Sequence, residues 1–220
     1  MRRNKKKEPW PTKAVMEQIY EKKLWGGNAF HDFYSGDGSH SSEIVEPYVK
    51  EVVQFLNSFS EKLVVCDLGC GDFNVGKRLV PHTKKYIGVD IVLDLITRNQ
   101  KLFNFKNVAF KCLDISKNVL PKADVILLRQ VMQHLSNAEI KGLLANLKEY
   151  PYLIVTEHLP SAHFVANKDL ISGQGIRLKK NSGVDIMQAP FYMQTTEVKQ
   201  LCSYTYDEKS IIKTTLYQNL

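Results

Sequence analysis

Short apolar runs alternate along this chain with segments whose apolar residues recur at helical spacing. Leu63-Val64-Val65-Cys66 is near-continuous in apolar residues, the pattern of a strand buried on both faces of a parallel sheet. Similar runs follow at 85–90, 108–113, 124–128 and 152–156. Between them, residues 44–59, 93–102 and 138–150 carry apolar positions three and four apart, as helices do. Ser136-Asn137 opens the last of these and Pro151 closes it. Residues 12–25 read as an amphipathic helix, with Val15, Met16, Ile19, Tyr20 and Leu24 on one face and Gly26-Gly27 as its stop. Strands alternating with helices predict a doubly wound, mostly parallel α/β sheet. Two β-rich runs, 201–206 and 210–217, are joined by Asp207-Glu208-Lys209 and predict a C-terminal hairpin.

The first strand runs into Asp67-Leu68-Gly69-Cys70-Gly71-Asp72-Phe73-Asn74, with a helix expected after it. Gly69 and Gly71 permit a tight turn and close approach to a ligand. A dinucleotide fingerprint fails at its third glycine, where Asn74 stands. A phosphate loop fits Gly71, Gly76 and Lys77 but fails at Arg78, where a hydroxyl should hold magnesium. Asp67 and Asp72 also place negative charge where phosphates would lie. A ligand with a cationic head and no phosphate suits these residues better, and S-adenosylmethionine is one. The second strand ends in Asp90, about 20 residues past the loop, where doubly wound folds place the carboxylate that grips ribose hydroxyls. The third ends at Asp114 and the fourth at Arg129-Gln130, so four successive strands bring Asp67, Asp90, Asp114 and Arg129 to one sheet edge.

On these motifs, residues 63–135 resemble the cofactor half of a class I S-adenosylmethionine-dependent methyltransferase. Asp67, Gly69 and Gly71 match its D-x-G-x-G loop. The resemblance implies a Rossmann-like, seven-stranded sheet that ends in an antiparallel pair. It implies that the loop, with Asp67, Gly69, Gly71 and Asp72, holds the methionine portion of the cofactor, and Arg129 is a further cofactor-binding candidate. It further implies that Asp90 takes the ribose and that Asp114, with Ile115, meets the adenine; Ile91 is a further cofactor-binding candidate. Phe73 stands where many members have a further glycine, and Gln130 where relatives often have an acid. The loop, together with residues 20–27, 35–39 and 129–136, is similar to a bacterial subfamily of small methyltransferases.

Two stretches break the strand–helix rhythm. Residues 28–43 are rich in aromatics, glycine and serine, and residues 159–196 mix glycine loops with apolar residues. Long irregular segments in compact domains are usually functional or disordered, and the aromatics and aliphatics here favour an ordered, functional one. The expected division is therefore an N-terminal tail, helix and lid over 1–43, then a methyltransferase domain over 44–220 with 159–196 as a substrate wall. Trp25, Phe33, Tyr34, Ser35 and Arg177 are the candidate lid or substrate residues, and Phe191 and Tyr192 add apolar surface. Methyl transfer mainly needs an aligned nucleophile and excluded water, and an oxygen nucleophile can be helped by a base near neutral pH. His134, past the fourth strand, and Glu157 and His158, after the fifth, are the candidate acid–base residues. The simpler alternatives are a packed or capping histidine at 134, and a Trp25 and Phe33 that complete the core. His31, His40 and His163 fall in expected loops.

Composition narrows the setting. The 220 residues are 44% hydrophobic, enough for one domain with a full core. No apolar run approaches the roughly 20 residues of a membrane helix, and no secretory leader is visible, which predicts a cytoplasmic protein. Cys66, Cys70, Cys112 and Cys202 read as small core residues, with neither disulfide nor zinc spacing, so no metal is expected. The net charge is +7, and five of the first seven residues are basic, a run expected to be a solvated tail. The reading is a methyltransferase acting on a small-molecule or sugar acceptor at oxygen. The alternatives are RNA-directed methylation, a nucleic-acid-binding module on the same fold, and an NAD-dependent oxidoreductase.

Overall fold

The computed structural model of the chain describes residues 9–27 and 33–219; the basic tail, and Phe30 and His31 of the expected lid, lie outside them. The apolar runs become strands β1 (Val64–Leu68), β2 (Lys85–Asp90), β3 (Val108–Cys112), β4 (Val125–Arg129) and β5 (Tyr152–Pro160), and the C-terminal pair becomes β6 (Glu197–Asp207) and β7 (Ser210–Gln218). They form one seven-stranded sheet in the order β3-β2-β1-β4-β5-β7-β6. The pairs from β3 to β5 are parallel, and β7 lies antiparallel to both β5 and β6. The doubly wound sheet and the antiparallel hairpin are as expected.

The helices are α1 (Thr12–Glu21), α2 (Ser42–Leu56), α3 (Gly76–Leu79), α4 (Leu93–Leu102) and α5 (Asn137–Leu147). On one face of the sheet, Ile140, Leu143 and Leu147 of α5 pack on Cys66, Leu68 and Ile126. On the other, Val45, Val49, Val52 and Leu56 of α2 pack on Val65, Val125 and Leu127. The alternating inward residues of single strands thus serve two cores, which is why these strands read as unbroken apolar runs. Met16, Ile19 and Tyr20 of α1 form a third cluster with Val92 and Leu95. Ser136 caps α5 in a reciprocal capping box with Glu139.

Several boundaries differ from expectation. The first helix ends at Glu21, because Lys22 to Trp25 form a turn before the glycines. The helix after the glycine loop is only the four residues of α3 and passes directly into a Val80–His82 turn, where Pro81 removes an amide. β5 does not stop at Thr156: it continues to Pro160, because β7 is long enough to pair with it, Glu157 opposite Lys213 and His158 opposite Ile212. Glu157 and His158 are therefore strand residues, and the irregular segment begins after Pro160 and not at 159. β6 begins earlier than expected, at Glu197, which shortens that segment from its other end as well.

Candidate functional site

β1 and β4 are neighbours, while the chain leaves β1 for β2 on one side and β4 for β5 on the other. Open α/β sheets bind ligands at such a reversal, beyond the carboxyl ends of the strands. A cavity of about 360 Å³ opens there, bounded by the Gly69–Gly71 loop, Asp90, Asp114, residues 129–135 and the inner face of α1.

The glycine loop is pinned from below: the Gly69 and Cys70 amides both donate to the Val89 carbonyl, at 2.8 and 2.9 Å. Gly69 (φ +83) and Gly71 (φ +54) take the left-handed conformation, and a Cβ at either would run into Val131 or Ser35. Phe73 takes the same conformation, φ 66, at the position where the resemblance leads one to expect glycine. Its ring is fully buried and packs edge-on against Tyr86, Phe103 and Phe110, with centroids 5.5, 5.0 and 4.8 Å away. Aromatic packing offsets the backbone strain, so the loop keeps its turn without the further glycine.

Asp90 lies at the floor of the cavity. One oxygen accepts from the Gly71 amide at 3.2 Å and the other from the Val92 amide at 3.0 Å. Burial pushes its carboxyl up, against the pull of these amides. With the Ile91 amide also nearby, the carboxyl still has acceptor capacity for a hydroxyl. Ile91, Ile115 and Asp114 also line the cavity. The Asp114 carboxylate is largely committed, to the Ser116 hydroxyl at 2.6 Å and Lys117 at 2.9 Å. Burial raises it, but these partners outweigh burial and hold it below the usual range.

Asp67 and Asp72, expected beside the cofactor, face away from the main cavity. Asp67 points under the loop, accepts from the Tyr86 hydroxyl at 2.8 Å, and borders a smaller hollow of about 30 Å³ that Arg129 also touches. Burial pushes its carboxyl up to about 6. Asp72 turns outward to hold the segment ahead of α2: it bonds His40 Nε2 at 2.6 Å and accepts from the Ser35 amide at 3.0 Å, while its own amide donates to Ser35 Oγ at 2.8 Å. Arg129 bridges the two hollows. It donates to the Gly38 carbonyl and to Ser39 Oγ, and its carbon centre sits 5.0 Å from the Tyr48 ring. Its Nε is buried without a partner.

Of the candidate lid residues, Trp25 and Ser35 line the cavity. Trp25 packs edge-on to Tyr20, 5.3 Å between centroids, and leans over His134 at 5.2 Å. Phe33 instead packs behind Tyr20 at 5.5 Å, and Tyr34 stacks on His40 and bonds Asp37. From the expected substrate wall, Gln174 and Ile176 reach the cavity. Arg177 is 1% exposed and turned into the protein, Phe191 packs against the core beside α5, and Tyr192 is 61% exposed.

His134 is the one candidate acid–base residue on the cavity wall. A carbonyl can only accept, so its Nδ1, 3.0 Å from the Gly173 oxygen, carries the proton. The His158 amide donates to Gln133 Oε1 at 3.1 Å, which turns the Gln133 amide nitrogen toward His134 Nε2, 3.2 Å away. The Nε2 lone pair is thus already engaged. Burial pushes the ring down to about 4, so it is neutral near pH 7. Glu157 is buried off the cavity, and His158 bonds Ser210 Oγ at 2.9 Å beside the Tyr206 ring. Neither lines the cavity.

Several cavity residues escaped sequence reasoning: Met16 and Tyr20 of α1, Cys70, Gln130, Gln133 and Gln174. Gln130 has the one available signal, its place directly after a strand end; its φ is 57, a strained backbone at the cavity wall. Among the described residues no group of three or more His, Cys, Asp or Glu could hold a metal ion. None of the described helices is long and apolar enough to cross a membrane.

Residues 66–150, which span the glycine loop through α5, match a family model described as a methyltransferase domain. No curated protein sequence matches the chain. In fold, the chain is similar to the N-methyltransferase NodS from Bradyrhizobium japonicum WM9, solved with S-adenosylhomocysteine (TM-score 0.63, 14% identity, 93% of this chain and 98% of that one). It is also similar to magnesium protoporphyrin IX methyltransferase from Synechocystis PCC 6803 with bound S-adenosylmethionine (0.55, 16%, 97% and 100%). A third likeness is to human N-acetylserotonin methyltransferase (0.59, 16%, 95% and 60%). At these identities the likeness is one of fold.

Proposed function

We propose that this methyltransferase moves the methyl group of S-adenosylmethionine to a small-molecule or sugar acceptor. The observation that carries the reading is Asp90: a buried carboxylate at the end of β2, beside a glycine loop that leaves room for a ligand's backbone-close approach, with lone pairs toward the cavity. That donor set fits ribose hydroxyls, with Ile91, Asp114 and Ile115 alongside for the adenine. The relatives in fold that hold S-adenosylmethionine or its product support the same cofactor.

When bound, S-adenosylmethionine supplies a methyl group on a positively charged sulfur, open to in-line attack. The chain's own part is to hold the acceptor in line and keep water out. Tyr20, Trp25, Gln130, Gln133 and His134 form the wall available to the acceptor. An indole face among side-chain amides suits a polar, hydroxyl-bearing molecule, and oxygen is the acceptor atom we propose. The neutral His134 lines the wall beside that hydroxyl and does not take its proton, since its unprotonated nitrogen is engaged by Gln133; the proton released on O-methylation passes to solvent.

Calorimetric titration with S-adenosylhomocysteine and, separately, NADH tests the cofactor, and transfer of labelled methyl to hydroxylated sugars or to RNA tests the acceptor class. The proposal requires saturable S-adenosylhomocysteine binding and label on the small molecule. Preference for NADH would make the chain an oxidoreductase. Label on RNA alone, with affinity falling steeply in salt, would move it to nucleic acid.

A further inference from the structure

The turn that carries Gln133 and His134 is held from outside the cavity by two buried titratable side chains, one on each side. Arg177 spends all five of its N–H groups on this neighbourhood. Its Nη1 donates to the Met132 and Gln133 carbonyls at 3.2 and 3.3 Å, and its Nη2 donates to the Leu135 carbonyl and to Asn137 Oδ1, both at 2.8 Å. Its Nε donates to the Lys168 carbonyl at 3.0 Å. The Met132–His134 turn is thereby tied to the irregular segment that supplies Gly173. On the other side stands Glu157, 3% exposed, with neither carboxylate oxygen in a hydrogen bond of normal geometry. Burial pushes this carboxyl up to about 8, while the Arg177 charge and the Met132 and Gln133 amides pull it down. Amides therefore face the carboxyl, and carbonyls face the guanidinium.

We propose that Arg177 and Glu157 are positioning residues that fix the Met132–His134 turn and, through the Gln133 amide, hold His134 in its Nδ1–H form facing the acceptor. The role at the acceptor rests on the methyltransferase reading; the geometry of the turn does not. A hydrogen-bonded line runs from the His158 amide through Gln133 and His134 to the Gly173 carbonyl. Each link has one direction only if the turn keeps its place. Arg177 ties the turn to the segment that supplies Gly173, because it belongs to that segment and bonds the Met132, Gln133 and Leu135 carbonyls. A long cation in a glycine-rich stretch would serve equally as a solvated surface group. Full burial with every donor used is what sets this one apart.

Nitrogen-resolved NMR of the histidine rings tests the proposal in the intact chain, in wild type and in Arg177→Lys and Glu157→Gln, with His134→Gln to assign the signal. Arg177→Lys keeps the charge that itself depresses His134, but with three donors on one atom it cannot span the same carbonyls. We expect wild-type His134 as the Nδ1–H form, neutral through pH 7. In both variants we expect a mixture of ring forms and titration raised by about one pH unit toward the ordinary histidine value. Folded variants that lose thermal stability but keep the wild-type His134 spectrum and titration would overturn the proposal and leave the pair a purely structural one. If Arg177→Lys does not fold, Glu157→Gln, which is nearly isosteric, decides by the same criterion. Binding of S-adenosylhomocysteine to wild type, measured alongside, reports on the methyltransferase reading separately: its failure would sink that reading and leave the His134 result standing.

Discussion

Asp90 is the residue on which the cofactor assignment most depends, since it is the carboxylate on the cavity floor whose remaining lone pairs are free to meet hydroxyls. Asp90→Ala removes a charged hydrogen-bond acceptor worth about 1.5–3 kcal/mol, so affinity for S-adenosylhomocysteine should fall roughly ten- to hundredfold. Calorimetry on a variant with unchanged circular dichroism checks this, and an unchanged affinity removes Asp90 from the ribose. The neighbouring acids show why position in a motif does not settle orientation. Asp67 and Asp72 sit in the loop where a cofactor-binding reading puts them, yet one is taken by Tyr86 and the other by Ser35 and His40. Those partners come from distant stretches of chain, so no local pattern announced them. Arg177 is the same case: its residue type and place in a glycine-rich segment suggested a ligand, and its carbonyl partners exist only once β4 and the later segment have met.

The glycine loop and the segment over it act at the scale of elements. Strands β1 to β4 and helices α2, α4 and α5 were legible, because buried parallel strands and amphipathic helices write their periods into the sequence. The length of β5 was not, since pairing with β7 extends it beyond its apolar run. In the loop, Phe73 replaces conformational freedom with packing. Phe73→Ala should cost about 3–5 kcal/mol in chemical denaturation, because it empties a fully buried aromatic site. A loss near zero would mean that the loop does not depend on this ring. The segment at 33–40 is latched to the loop through Ser35, His40 and Asp72, and we propose that it closes over bound cofactor. Hydrogen exchange should then show amides in 33–40 gaining protection when S-adenosylhomocysteine is added. Equal protection with and without ligand would make the segment a permanent part of the core.

For the molecule as a whole, the sheet places two kinds of buried carboxyl at its carboxyl edge: Asp90 in the cavity, and Glu157 behind the turn that forms its wall. Glu157 carries a consequence for stability. Its ordinary value is 4.5, and burial raises it to about 8 in the folded chain. Between those values the folded state keeps a proton that the unfolded state has lost. Its contribution to stability therefore falls as pH rises from 4.5 to about 8, and is level above. Glu157→Gln should remove that decline, so the variant's melting temperature should gain on wild type as pH rises through this window. Parallel curves would mean that Glu157 ionises in the folded chain much as it does in water.

The account turns on one claim, that the cavity beyond β1, β2 and β4 is where S-adenosylmethionine binds. A crystal structure of the complex with S-adenosylhomocysteine tests it most directly. The account predicts the ribose hydroxyls on Asp90, the adenine beside Asp114 and Ile115, and the sulfur turned toward the wall formed by Gln133 and His134. A ligand seated elsewhere, or an adenosine whose hydroxyls ignore Asp90, would contradict it.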